Sequence, residues 1–376
     1  MGDAANLLRD VQALFVGEHE GMERQLAQRE GVTFAAIEAG ALHGVGARRA
    51  ARSALRLTRG VVAAYRLVGA YRPDVVLLTG GFVGVPVSVA AWLRRAPSVV
   101  YLPDIEPGLA LKAMARLAAK VATTTEASGA FIPRARMVVT GYPVREAFLR
   151  ATREEGRARF NLPADAIVLL VVGGSTGARS INRAVISNIG ALLSVPAARA
   201  GAIHILHVTG NRDWPEMAAA RDALAPDLRE RYTAAPYLHE EMADAMAAAD
   251  LVVCRSGASA LGELPALGLP AVLVPYPHAW RYQRVNAQYL VERGAAVLLE
   301  DSRLNDPEHG LAKVVASLLA DPARLSAMRA ASRRLAAETG GGARRIAEVV
   351  WQIAAAQASR RSGGNAAMRP NSIRLR

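Results

Sequence analysis

The chain has 376 residues, 52% of them hydrophobic, which is too long for one compact core and apolar enough for two domains of roughly 150 to 200 residues each. Cys254 is the only cysteine, which excludes an internal disulfide and a cysteine-based metal site. The net charge of +13 favours an anionic partner, while 5% aromatic residues and the lack of a nucleic-acid motif argue against nucleic acid.

Short apolar or β-branched runs, each closed by Gly, Pro or a small polar residue, alternate with helical patterns along the chain. Residues 11–16, 34–38, 74–79, 99–102 and 137–140 form one set of predicted strands; 167–172, 203–208, 251–254, 271–274 and 295–299 form a second. This alternation predicts an α/β fold with parallel sheets covered on both faces. In the first set, Arg48, Arg52, Arg56, Arg59 and Arg66 fall within about 80° on a helical wheel, with Leu57, Val61, Ala64 and Val68 opposite. The stripe reads either as the solvated face of a sheet-covering helix or as a contact for anionic lipid headgroups.

The charged stretch 146–164, with Pro163, reads as helix and linker, and separates domain 1–145 from domain 165–342. A segment from about Leu162 to Gly340 is expected to bind ligand on its own. A last helix is expected at 343–356, followed by a disordered basic tail at 357–376, rich in Ser, Gly and Asn. No apolar run approaches the ~20 residues of a spanning helix, and residues 1–6 lack the pattern of an export signal. A cytoplasmic, soluble or peripheral protein is expected.

Three segments carry chemistry. In Val171-Val172-Gly173-Gly174-Ser175-Thr176-Gly177-Ala178-Arg179-Ser180-Ile181-Asn182 a buried strand runs through a glycine turn into a helix. Free N–H groups at such a helix start attract phosphate, although an ordinary strand-to-helix turn has the same sequence features. A second junction runs Cys254-Arg255-Ser256-Gly257-Ala258-Ser259-Ala260-Leu261-Gly262-Glu263. Glu263 there is either a carboxylate for the two hydroxyls of a ribose or a helix cap. The third, Pro275 to Ala287, carries Gln283 and Asn286, whose amides donate and accept as sugar hydroxyls require, or serve as surface polar groups.

In this order the three segments resemble the donor-binding domain of the MurG family, the UDP-N-acetylglucosamine transferases that act on lipid I. Thr79-Gly80-Gly81-Phe82-Val83-Gly84-Val85-Pro86 is similar to that family's second glycine loop, and Gly141-Tyr142-Pro143-Val144-Arg145 to its Pro-Val-Arg element. The likeness spans roughly residues 11 to 354. It implies a GT-B type fold, two Rossmann-like α/β domains facing across a cleft, with the last helix packing back on the first.

The resemblance further implies inverting transfer of N-acetylglucosamine from UDP-N-acetylglucosamine to an undecaprenyl-linked acceptor, at the cytoplasmic face of an anionic inner membrane surface. Arg145, Gly174, Ser175 and Gly177 would meet the donor diphosphate, and Ala258, Ser259 and Ala260 would line the nucleotide at a helix start, with Ser256 and Gly257 in the same substrate-binding loop. Glu263 would bind the ribose, Gln283 and Asn286 the sugar, and Gly80 and Gly81 would face the acceptor diphosphate. No cofactor is implied, and without an Asp-x-Asp triplet no obligatory metal is expected.

The chain departs from the family pattern at Tyr282-Gln283, where two Gln residues are usual. The family's opening strand and Gly-Gly-Thr-Gly-Gly-His loop have no counterpart after Met1, so a truncated or internally started product is expected. His19 and His43 lie in other loops and are not assigned the base, so the catalytic residue is left open; Asp104 and Glu106 are candidates because residues 102–108 resemble a His-Glu-Gln-Asn loop of the family. A catalytically impaired UDP-sugar-binding homologue with a membrane scaffold role, a glycolipid synthase and a UDP-sugar epimerase are the alternatives.

Overall fold

β-branched and leucine-rich runs form twelve strands among the described residues: β1 (Leu14–Gly17), β2 (Thr33–Ala36), β3 (Val76–Leu78), β4 (Ser98–Leu102), β5 (Lys120–Thr123), β6 (Met137–Val139), β7 (Ile167–Val172), β8 (Ile203–Val208), β9 (Tyr232–Ala235), β10 (Leu251–Cys254), β11 (Ala271–Leu273) and β12 (Ala296–Leu298). The computed structural model describes residues 11–18, 22–38, 47–174, 177–195, 202–278 and 281–363. Every strand pair is parallel. Helices cross between the strands, as parallel neighbours require. β9 is not evident from sequence, because Tyr-Thr-Ala-Ala has too little apolar weight to stand out.

Two units result, Met1–Thr140 with Ala343–Arg376, and Gly141–Gly342. In the first, β1 pairs with β2, and a separate sheet runs β3-β4-β5-β6. One face of that sheet buries Leu78, Val100, Leu102 and Val121 with Val87 and Met114 from the covering helices. The helix Ala47–Tyr71 buries Ala64 and Val68 and leaves Arg56, Arg59 and Arg66 exposed. The side chains of Arg48 and Arg52 lie outside the described residues.

The opposite face of the β3–β6 sheet is covered by the last helix, Gly342–Gly363, whose Ile346, Val349 and Ala354 pack on Val75, Val99, Tyr101 and Ala122. Arg361 Nη1 donates to Asp74 Oδ1 at 2.8 Å. Residues 357–363 are therefore helical, which corrects the expected start of the tail; residues 364–376 lie outside the described residues.

The second unit orders its strands β12-β11-β10-β7-β8-β9. This is the doubly wound arrangement in which strand order reverses beside the first strand, here between β7 and β10, and ligands bind beyond the carboxyl ends at that point. The boundary at 146–164 is also corrected. Helices Glu146–Arg150 and Arg153–Arg159 belong to the second unit, where Phe148 is buried and Arg157 reaches Asp250. The change of unit comes at Thr140 and Gly141.

Candidate functional site

At the switch point the loops after β7 and β10 enclose one side of a cavity of about 810 Å³. The β7 loop is shaped by glycine. A Cβ on Gly173 would stand 2.5 Å from the Ala178 nitrogen, and one on Gly177, at φ +84°, 2.6 Å from the Thr209 carbonyl. Gly174, at φ +82°, opens onto free space. The turn leads into the helix Arg179–Ser187, whose first N–H groups have no intrahelical acceptors and whose dipole favours an anion. Ser175 and Thr176 lie outside the described residues.

On the β10 side, Gly257 opens onto free space, and Ser259 and Glu263 line the cavity. Burial pushes the Glu263 carboxyl above its ordinary range, opposed by Arg145 and by a hydrogen bond from Ser259. Arg145 Nη2 lies 3.6 Å from Glu263 Oε1, and its guanidinium stacks over Phe148 at 4.7 Å. The structure thus joins as an ion pair two residues expected from sequence to meet separate ligand groups. Arg145 is 60% exposed and Glu263 18%, so a ligand can reach the arginine easily while the carboxylate is fixed.

Gln283 also lines the cavity, its amide oriented by the Tyr276 N–H donating to Oε1 at 2.8 Å. Asn286 and Ser256 behave differently from the expectation. Both are fully buried. Ser256 Oγ donates to the Gln283 carbonyl at 2.7 Å, and Asn286 Nδ2 donates to the Ser256 carbonyl at 3.2 Å. These side chains tie the β10 loop to the helix Tyr282–Glu292 and so hold Gln283 in place instead of meeting a ligand. Ala258 begins the short 3-10 turn Ala258–Leu261 and is not among the residues that line the cavity.

Several residues at the cavity were not singled out from the sequence. Arg255 donates to Asp301 Oδ1 at 2.6 Å and to Ser180 Oγ at 2.8 Å, which ties together the exits of β10, β12 and β7. Tyr237, Leu238, Met242 and Met246 supply an apolar wall suited to a planar ring. Their signal is weak because they follow the unrecognised strand β9.

In the first unit Gly80 and Gly81 take φ values of +120° and +73°, forming the turn before the helix Gly84–Leu93. Glu106 is buried, with Lys112 Nζ 3.7 Å from its Oε1. That removes it as a solvent-accessible base, whereas Asp104 is half-buried. His19 and His43 lie outside the described residues. No described helix is long and apolar enough to cross a membrane.

Residues 6–123 match the glycosyltransferase family 28 N-terminal domain, and residues 168–350 the glycosyltransferase family 28 C-terminal domain. A relative from Roseiflexus sp. (strain RS-1), named UDP-N-acetylglucosamine--N-acetylmuramyl-(pentapeptide) pyrophosphoryl-undecaprenol N-acetylglucosamine transferase, is 42% identical over 86% of this chain and 80% of its own length. A relative of the same name from Desulforudis audaxviator (strain MP104C) is 42% identical over 87% of this chain and 86% of its own. The crystal structure of Acinetobacter baumannii MurG shares the fold, with a TM-score of 0.68 at 24% identity over 93% of each chain. With both family domains and the glycine-turn cavity in place, the chain belongs to glycosyltransferase family 28 and, within it, to the MurG family.

Proposed function

We propose that this protein transfers N-acetylglucosamine from UDP-N-acetylglucosamine to the 4-hydroxyl of lipid-linked N-acetylmuramyl-pentapeptide, converting lipid I to lipid II in peptidoglycan synthesis. The observation that carries this reading is the convergence of the glycine turn, Glu263 and Gln283 on one cavity at the strand-order switch. The turn, with Ser175 and Arg145, takes the donor diphosphate; Glu263 accepts from the ribose hydroxyls; Gln283 meets the sugar. Gly257 and Ser259 leave room for the nucleotide against the backbone, and Gly80 and Gly81 are assigned the acceptor diphosphate.

In an inverting displacement the acceptor oxygen forms a bond to the anomeric carbon as the bond to the UDP oxygen breaks. Negative charge grows on the departing diphosphate, where fixed N–H donors and Arg145 stabilise it without reorganising. Asp104 is the carboxylate we assign to the acceptor hydroxyl's proton.

The membrane contact is assigned to the first unit and to the cytoplasmic face. Exposed Arg56, Arg59 and Arg66 share the helix Ala47–Tyr71 with exposed Val62 and Tyr65, a combination suited to anionic headgroups and the interface beneath them. The test is transfer of radiolabelled N-acetylglucosamine from its UDP donor to a lipid I analogue in vesicles. Labelled lipid II supports the reading; release of N-acetylmannosamine without acceptor would instead identify an epimerase.

A further inference from the structure

Beneath the glycine turn runs a buried polar chain that none of the assigned donor contacts uses. Tyr232 Oη and His207 Nδ1 are 2.8 Å apart, and His207 Nε2 and Asn182 Oδ1 2.9 Å. Asn182 Nδ2 donates to the Thr209 carbonyl at 2.8 Å and to Asp213 Oδ2 at 3.0 Å. Since the Asn182 oxygen can only accept, His207 donates from Nε2 and accepts from the tyrosine at Nδ1. Burial keeps this imidazole neutral, with its pKa pushed down to about 3. The chain ends at Asp213, whose side chain is 1% exposed.

The other oxygen of Asp213 holds two arginines. Arg179 Nε donates to Oδ1 at 3.1 Å and Arg212 Nε to the same atom at 3.4 Å. Both arginines line the cavity and are about half exposed, 52% and 58%. A Cβ on Gly177 would lie 3.2 Å from Asp213 Oδ2, so the glycine turn passes directly over the carboxylate.

Resting on the reading of this cavity as a nucleoside diphosphate site, we propose that Asp213 is a positioning residue that holds Arg179 and Arg212 together as a paired cationic ligand for the donor diphosphate. Two guanidinium groups brought to one oxygen repel each other and separate once the carboxylate is gone. Long, half-exposed side chains then regain rotamer freedom that must be lost again when a ligand binds. Asp213 cannot follow them, because Asn182, His207 and Tyr232 fix it from behind. It thereby supplies preorganised charge where the departing diphosphate becomes more negative.

The experiment is calorimetric titration of the full chain with uridine and with UDP. In D213N, uridine affinity should stay within about twofold while UDP affinity falls by about 10- to 100-fold, the size expected for misplaced charged hydrogen bonds. Charge alone predicts the opposite, since removing an anion beside the phosphates should tighten UDP. Tighter UDP binding, an unchanged UDP-to-uridine ratio, or equal loss of both ligands would each overturn the proposal.

If D213N does not fold, R179A and R212A serve instead, because their half-exposed side chains carry little packing. Each should lower the same ratio; no change in either overturns the pairing. In a folded D213N protein, adding the substitution to the R179A/R212A double variant should change the ratio no further, and an additional tenfold fall would also overturn it. A wild-type chain that binds neither uridine nor UDP would overturn the cavity reading itself.

Discussion

Replacing Arg157 by Met tests whether residues 141–164 are part of the second unit's core or a detachable connection. Arg157 is 7% exposed and donates to the carbonyls of Pro163 at 3.0 Å, Ala164 at 2.6 Å and Ala166 at 2.7 Å, and to Asp250 Oδ2 at 3.1 Å. Asp250, 8% exposed, also accepts from the Val168 N–H at 3.0 Å and from Arg153 at 2.7 Å. Removing one partner of a buried pair costs about 3–5 kcal/mol, because the other charge stays behind without compensation. Arg153 remains on the opposite oxygen, so the lower end, about 3 kcal/mol, is expected here.

The assay is urea unfolding followed by the fluorescence of Trp214 and Trp280, with Trp92 and Trp351 replaced by Phe so that the signal reports on the second unit. Asp250→Asn combined with Arg157→Met should cost less than the sum of the single changes, by about 1–3 kcal/mol of coupling. A segment starting at 162 would lack Arg153 and Arg157 and should be less stable than 141–342. If Arg157→Met costs less than about 1 kcal/mol, this account of the boundary is refuted.

Glu263→Ala should weaken UDP-N-acetylglucosamine binding by about 1–3 kcal/mol, through the loss of charged hydrogen bonds, and calorimetry at wild-type affinity would sink the ribose assignment. Because the Glu263 carboxyl is held above its ordinary range, its stabilising contribution is present below the unfolded pKa and is lost as pH rises through the folded one. Glu263→Gln should therefore raise the unfolding midpoint at neutral pH and weaken the donor; the wild-type donor affinity should fall on acidification from a pH above the ordinary carboxylate range, and the variant's should not. Gly177→Ala, at φ +84° against the Thr209 carbonyl, should destabilise the chain by about 1–3 kcal/mol. Gly257→Ala, with open space before it, should leave the thermal midpoint unchanged and weaken UDP binding; equal midpoints for the two variants would refute the distinction. Reversing Arg56, Arg59 and Arg66 to Glu should release the protein from anionic vesicles in sedimentation, as should high salt, since the attraction is screened beyond about 8 Å at physiological ionic strength. Sedimentation unaffected by the reversals would leave the stripe a solvated face.

The glycine turn after β7, the small-residue loop after β10 and the cationic face of the helix Ala47–Tyr71 were legible in the chain itself, because each rests on local rules. Positive φ selects glycine, a strand ends where apolar residues stop, and a helix repeats every 3.6 residues. Those rules identified the segments that carry the cavity, but not which side chains face it. Asn286 and Gln283 lie three residues apart on one helix, yet Gln283 lines the cavity and Asn286 is buried against Ser256. Glu106 looked as available as Asp104 until folding buried it beside Lys112. The Arg157–Asp250 pair, the junction of Arg255, Ser180 and Asp301, and the hold of Asp213 on Arg179 all join residues 34 to 121 positions apart. Such pairings follow from strand order, which brings β10 beside β7 and β8 on its other side. Periodicity along a chain carries no information about which strands will be neighbours. Only the assembled sheet decides which polar groups are buried together and must satisfy one another, and which are left facing a ligand.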